Sequence, residues 1–183
     1  NGDAWHKKLR RYDIISGWTL NGGKGSGACC QDERYALMSH FTIEIASDMT
    51  PALEHAVRSL LPQLTSSGRL ITGGELKTMV SSPLIKMFLA KDGAVIVGMI
   101  SLSVAQMPTG LRSYLEDLVV DSAYRRRGIA RALLQAAIDY AGSTGARSLD
   151  MTSRPSRQGA IRLYEQLGFR RRETNAFRYS FYD

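Results

Sequence analysis

Between Tyr114 and Ala141 the chain runs from a strand, through a basic glycine-bearing turn, straight into a long helix. Tyr114 to Val120 reads as a strand that closes on the apolar run Leu118-Val119-Val120. Asp121-Ser122-Ala123-Tyr124 is a short polar loop, and Arg125-Arg126-Arg127-Gly128-Ile129-Ala130 turns the chain. Gly128 to Ala141 then predicts a helix, with Ile129, Leu133, Ala137 and Ala141 on one stripe and Ala130, Leu134 and Ile138 beside it. A strand followed at once by an amphipathic helix buries both apolar faces by laying the helix on a sheet, so the chain is read as α/β.

The flanking text fits a mixed sheet. His40-Phe41-Thr42-Ile43-Glu44-Ile45 alternates as a half-buried strand. Thr50 to Leu64 carries a cap, an early proline and apolar residues at Leu53, Val57, Leu60, Leu61 and Leu64, which predicts a helix. Gly74 to Ser81 is a second short helix. Leu84–Ala90 and Ala94–Ser103 are strands about Asp92-Gly93, a strong hairpin signal. After the central helix, Arg147–Thr152 is a strand and Ser156–Leu167 a helix, and Phe169–Arg172 and Ala176–Tyr182 are read as closing strands. The expected fold is a mixed, mostly antiparallel central sheet flanked by helices, with parallel pairing across the β-α-β stretch.

Composition narrows the function classes. A hydrophobic content of 44% and a charged content of 22% are those of a globular domain rather than a disordered chain. The longest apolar stretch, Ala94 to Leu102, is far too short to span a bilayer. The basic start Lys7-Lys8-Leu9-Arg10-Arg11 is followed by no continuous hydrophobic segment, so no export signal is read. Cys29 and Cys30 are adjacent and have no second pair, which points to free thiols and a cytoplasmic location. His6, His40 and His55 lack ligand-like spacing, and no metal is expected.

Residues 1–37 read differently from the rest. They hold both tryptophans, both cysteines and the run Gly22-Gly23-Lys24-Gly25-Ser26-Gly27, with little periodicity. We take them as an N-terminal extension of unknown role and residues 38–183 as the domain. A chain beginning at Met38 is expected to fold and keep its ligand. The glycine run is no phosphate loop: G-x-x-x-x-G-K-[ST] needs glycine where Trp18 stands and Ser/Thr where Gly25 stands.

The net charge of +7 concentrates in Arg125-Arg126-Arg127 and Arg170-Arg171-Arg172. Aromatics are not interleaved with these runs, which argues against nucleic acid and for one small polyanion. At the first triplet the helix start offers unpaired N–H groups and the positive end of its dipole. Gly128 lets phosphate approach without a Cβ in the way, Ala130 keeps the next turn small, and the arginines add charge-assisted contacts.

Arg125-x-x-Gly128-x-Ala130 resembles the Q/R-x-x-G-x-G/A hallmark of the GCN5-related N-acetyltransferase (GNAT) superfamily. Ser153 to Phe169, with Ala160, Leu163-Tyr164 and Gly168-Phe169, is similar to that family's N-x-x-A-x-x-[LF]-Y-x-[KR]-x-G-F passage. It departs at Ser153-Arg154-Pro155, where many relatives carry asparagine. The likeness covers roughly residues 40–183. It implies acetyl-CoA as co-substrate and direct transfer of the acetyl group to a primary amine of a small molecule, peptide or protein. Pantetheine would add like a strand to the backbone of Leu118, Val119 and Val120. Arg125, Arg126, Arg127, Gly128, Ile129, Ala130 and Arg131 would hold the phosphates, and Ser156 and Tyr164 would also meet the cofactor. Tyr164 would hydrogen-bond the departing sulfur. Glu116 is the candidate base, directly or through water; Asp117, pointing to the opposite face of a regular strand, ranks second.

Two rivals stay open at this point: a CoA-binding module without turnover, and a nucleic-acid binder using both arginine triplets. A homodimer is also left open. Specificity for the acceptor is expected from the Thr50–Ser82 region and the Gln106–Arg112 loop; Glu75 and Asp150 are acids available to a cationic amine.

Overall fold

The computed structural model describes residues 41–65 and 68–181. The predicted extension, with both cysteines and the glycine run, therefore lies outside the described residues. The boundary between two compact units falls between Thr152 and Ser153.

The first unit carries β1 (Phe41–Ile45), α1 (Pro51–Leu64), α2 (Gly73–Ser81), β2 (Ile85–Asp92), β3 (Val95–Met107), β4 (Gly110–Val120), a 3-10 turn (Ser122–Tyr124), α3 (Ile129–Ser143) and β5 (Leu149–Met151). The strands form one sheet in the order β1-β2-β3-β4-β5. The first three pairings are antiparallel and β4–β5 is parallel. The mixed, mostly antiparallel sheet expected from the sequence is the one observed, with the parallel pair across β4-α3-β5.

Local chemistry starts the first two helices. Thr50 caps α1 by accepting from the Leu53 N–H at 3.1 Å, with Pro51 in the first turn. At α2, Thr72 and Glu75 form a reciprocal capping box: the Glu75 N–H donates to Thr72 Oγ1 at 3.2 Å and the Thr72 N–H to Glu75 Oε2 at 2.8 Å.

Alternation along the strands then divides the core. Met87, Leu89, Met99 and Val119 pack on Leu53, Val57 and Leu60 of α1 and Leu76 of α2. Neighbouring residues face the other way: Phe88 meets Tyr140 of α3 edge to face, with ring centroids 5.8 Å apart. Gly98 lies on this α3 side. A Cβ there would stand 3.1 Å from the Val119 carbonyl and 3.3 Å from Leu133 Cδ1, so the missing side chain lets β3, β4 and α3 close together.

Two expectations are corrected. The Gln106–Arg112 loop is a tight hairpin, with β3 running to Met107 and β4 beginning at Gly110. The predicted closing strands Phe169–Arg172 and Ala176–Tyr182 do not form within residues 169–181, and Tyr182 lies outside the described residues. Phe169 is used to end a helix, as described below. Phe177, Tyr179 and Phe181 are 92%, 82% and 81% exposed, so no apolar burial offsets the entropy of ordering a strand. The second unit's regular element is α4 (Gln158–Gln166).

Candidate active site

Strand β4 is irregular where the chemistry was expected. Met99 pairs with Val119 and Ser101 with Glu116, so Ile100 alone faces two residues, Asp117 and Leu118. One extra residue in β4 makes a bulge, and Asp117 takes it up with φ 56°, a left-handed conformation that aspartate tolerates better than most side chains. On its other side β4 pairs with β5 only through Ser113, Tyr114 and Leu115. β5 ends at Met151, so Glu116 to Val120 continue beyond its last partner strand on that edge.

The turn after β4 is held from within. The Asp121 N–H donates to the Val97 carbonyl at 2.9 Å, and Asp121 Oδ1 accepts from the Ala123 N–H at 2.9 Å. Gln63, near the end of α1, braces the same turn: its Oε1 accepts from the Ser122 N–H at 2.9 Å and from Arg125 at 3.5 Å. Arg125 Nε also donates to the Val120 carbonyl at 3.2 Å. The Arg125 guanidinium thus fastens the loop to the strand and to α1. Arg127 donates to the Ala123 carbonyl at 3.2 Å and lies 5.0 Å over the Tyr124 ring. Arg126 is exposed, with φ 66°.

Gly128 begins α3 with φ 80°, and no side-chain hydrogen bond caps the helix. A Cβ on Gly128 would meet nothing within 4 Å. Ile129 is buried, Ala130 half-buried and Arg131 exposed. Left-handed residues at 126 and 128 turn successive amides into a concavity of the kind that accepts phosphate oxygens. The arrangement fits a diphosphate: an open backbone surface, the positive end of a helix, and arginines around it.

A cavity of about 260 Å³ lies between the sheet and α1–α2. Its apolar lining is Val57, Leu61, Ile71, Met79, Met87 and Met99, and two polar groups, Ser101 and Asp117, come from the strands. Ser101 Oγ is buried without a hydrogen-bond partner. Asp117 is accessible from the cavity, yet surrounding protein desolvates its carboxyl and raises its pKa. Arg69 and Glu75 also line the cavity, joined at 2.7 Å. Hydrogen bonds from Thr72, foremost its backbone N–H, hold the Glu75 pKa below the ordinary value, so this acid is already committed to its cap.

In the second unit, Gly168 ends α4 with φ 92°. The Gly168 N–H donates to the Glu165 carbonyl and the Phe169 N–H to the Tyr164 carbonyl, each at 3.1 Å. This crossed pair is the Schellman ending, and its usual apolar contact is here the Tyr164–Phe169 ring pair, edge to face at 6.1 Å. Burial raises the Tyr164 phenol, with a smaller opposing pull from Arg157, so the hydroxyl is a neutral donor at pH 7. Ser156 is exposed in the turn before α4.

The sequence profile of the Acetyltransferase (GNAT) family matches residues 58–169. The chain belongs to this family. N-alpha-acetyltransferase 30 of Schizosaccharomyces pombe is 35% identical over 83 residues, 40% of this chain and 55% of that protein. The [ribosomal protein bS18]-alanine N-acetyltransferase of Escherichia coli K12 is 44% identical over 55 residues, 30% of this chain and 37% of its own length. The match thus spans about half or less of these relatives. The structure of AAC(6')-Iy in complex with the bisubstrate analog CoA-S-monomethyl-acetylneamine superimposes with a TM-score of 0.64 at 21% identity, covering 78% of this chain and 99% of that one. At that identity the likeness is one of fold.

The GNAT hallmark gains a local explanation here: its first arginine fastens the loop, and its glycine adopts the left-handed φ that exposes the amides. The Gly-Phe of the second motif is the lock on Tyr164. Leu118 to Arg131 are brought together in the first unit, while Ser156 and Tyr164 belong to the second. Three residues escaped the sequence reading: Gln63, Ser101 and Asp117 in its observed position. Among the described residues no His/Cys/Asp/Glu group could hold a metal ion, and no helix is long and apolar enough to cross a membrane.

Proposed function

We propose that the chain catalyses acetyl-CoA-dependent N-acetylation of a primary amine. The observation that carries this reading is the loop from Arg125 to Ala130. Its uncapped helix start and left-handed Gly128 offer backbone amides to a diphosphate, directly after a strand with an open edge.

When bound, acetyl-CoA supplies the acyl group as a thioester; the chain's own residues orient it and manage protons. Amides of Leu118 to Val120 offer strand-like pairing to pantetheine, with Arg125 bracing the Val120 carbonyl. Arg126, Arg127, Gly128, Ile129, Ala130 and Arg131 supply amides and charge to the phosphates, and Ser156 is a further polar contact. An amine of pKa about 10.4 costs about 4.6 kcal/mol to deprotonate at pH 7. A positioned base contributes about 10²–10⁴-fold in rate. Glu116, opposite Ser101 in the sheet register, takes that proton directly or through water. Attack by the neutral nitrogen on the thioester carbon would break the carbon–sulfur bond, with sulfur keeping that bond's electron pair, and the nitrogen's second surplus proton would pass through solvent to the departing thiolate. Tyr164 donates a hydrogen bond to that sulfur. Its raised pKa makes the phenol a weaker acid still, so stabilising the thiolate is its role rather than full proton transfer.

The test is release of CoA thiol from acetyl-CoA in the presence of an amine panel, with acetyl-CoA binding followed separately. Amine-dependent release supports the reading. Binding with no release from any amine would leave a CoA-binding module instead.

A further inference from the structure

The cavity beneath α1 and α2 says more about the acceptor than the loop does. It is large for a single amine: a cavity of roughly 150 Å³ already takes benzene, and this one measures about 260 Å³. Its walls are aliphatic and thioether side chains. At the strand side stand two polar groups, each able to accept a hydrogen bond. Ser101 is 9% exposed, and its hydroxyl has no partner. The Asp117 carboxylate makes no hydrogen bond or ion pair among the described residues, although the bulge delivers it to the same space.

A buried hydroxyl left without a partner is costly unless a ligand satisfies it, and the Asp117 carboxylate beside it is exposed and open to a cation. A primary ammonium answers both: it donates to each, and its charge suits the carboxylate. The remaining volume then faces whatever substituent that nitrogen carries. Polycationic amines fit badly. Each further ammonium needs its own acid, and the second carboxylate of the cavity, Glu75, is already held by Thr72 and Arg69. We infer that the acceptor is a primary amine bearing one apolar substituent, seated with its nitrogen at Asp117 and Ser101 and its substituent against Leu61, Ile71 and Met79. The inference rests on the N-acetyltransferase reading above and names the substrate class for the same site.

The chemistry has two sources: the first residue of a peptide, or a free apolar monoamine. The full chain is assayed with acetyl-CoA against peptides identical except for a first residue of Leu, Met, Phe, Ser, Asp or Lys. Phenethylamine and isoamylamine form a second arm, and spermidine and kanamycin a third. Burying one large apolar side chain predicts kcat/KM about 10–100-fold higher for Leu, Met or Phe than for Ser or Asp. Peptides exceeding monoamines by a similar factor identify a chain N-terminus; the reverse identifies a free amine. Asp117→Asn and Ser101→Ala raise the acceptor KM more than they lower kcat, whereas Glu116→Gln lowers kcat. Ile71→Trp, which fills the cavity, erases the advantage of apolar acceptors.

CoA release that is indifferent to the substituent, or faster with spermidine or kanamycin, overturns the inference and leaves the acetyltransferase reading standing. Absence of both acetyl-CoA binding and CoA release from every amine overturns the reading and the inference together.

Discussion

The Phe169 N–H donates to the Tyr164 carbonyl at 3.1 Å while the two rings meet edge to face at 6.1 Å. The helix carrying the proposed sulfur donor is therefore closed on that residue by the motif's own last member. Tyr164→Phe keeps the ring contact and removes only the hydroxyl. A hydrogen bond to a charged group contributes about 1.5–3 kcal/mol, so kcat should fall about 10–100-fold with acetyl-CoA affinity unchanged. Steady-state kinetics beside a binding titration checks this, and unchanged kcat removes the role.

Gly168→Ala tests the lock rather than the hydroxyl. At φ 92° an added Cβ meets no neighbour but forces a backbone strain of about 1–2 kcal/mol. The expected outcome is a lower melting temperature together with a lower kcat, because the Tyr164 ring loses its fixed partner. A melt with unaltered turnover would separate stability from positioning.

Gly128→Ala should behave in the opposite sense. The site is open, so folding loses only left-handed strain of about 1–2 kcal/mol. The new methyl group stands on the surface proposed for the phosphate oxygens. The KM for acetyl-CoA should rise at least about 10-fold while kcat at saturation changes little.

Arg126 is exposed and makes no hydrogen bond or ion pair among the described residues, unlike Arg125 and Arg127. Arg126→Ala should weaken acetyl-CoA binding about 10-fold, the worth of one charge-assisted contact. It should also flatten the salt dependence of binding. Arg125→Ala should act differently, lowering thermal stability as well, because it unties the loop from Val120 and Gln63.

Asp117 carries a pH signature. Its folded pKa is raised by burial, so the folded state holds the proton more tightly than the unfolded chain. Its contribution to stability is fully present below the unfolded pKa and is lost as pH rises through the folded value. Asp117→Asn should therefore melt higher than the parent chain at pH 7. The difference should vanish as pH falls below about 3.8, the ordinary aspartate value. Melting curves across pH 3–8 check the sign; a variant that melts lower at pH 7 contradicts it.

Much of this was legible because it is local. A strand end, a left-handed glycine and a helix start are adjacent in sequence, and so are the Gly-Phe and the tyrosine it secures. Asp117 was not placed because a regular strand sends it away from Glu116. The cue was present: Glu116-Asp117 are two polar residues in a row, and Leu118-Val119-Val120 three apolar ones, a break in alternation that one inserted residue explains. Gln63 and Ser101 had no local signal. Gln63 matters through Ser122, 59 residues away, and Ser101 through a cavity built by helices on the far side of its strand. The closing strands were misread because alternation in Phe177, Tyr179 and Phe181 signals a strand only where something covers that face.

Helix α1 touches two proposed sites at once. Val57 and Leu61 wall the proposed acceptor cavity, and Gln63, half a turn on, grips the loop proposed for the phosphates. Each proposed ligand would therefore meet the same rod. Thermodynamic reciprocity then fixes the rule: whatever factor a seated acceptor adds to the affinity for acetyl-CoA, acetyl-CoA returns to the acceptor.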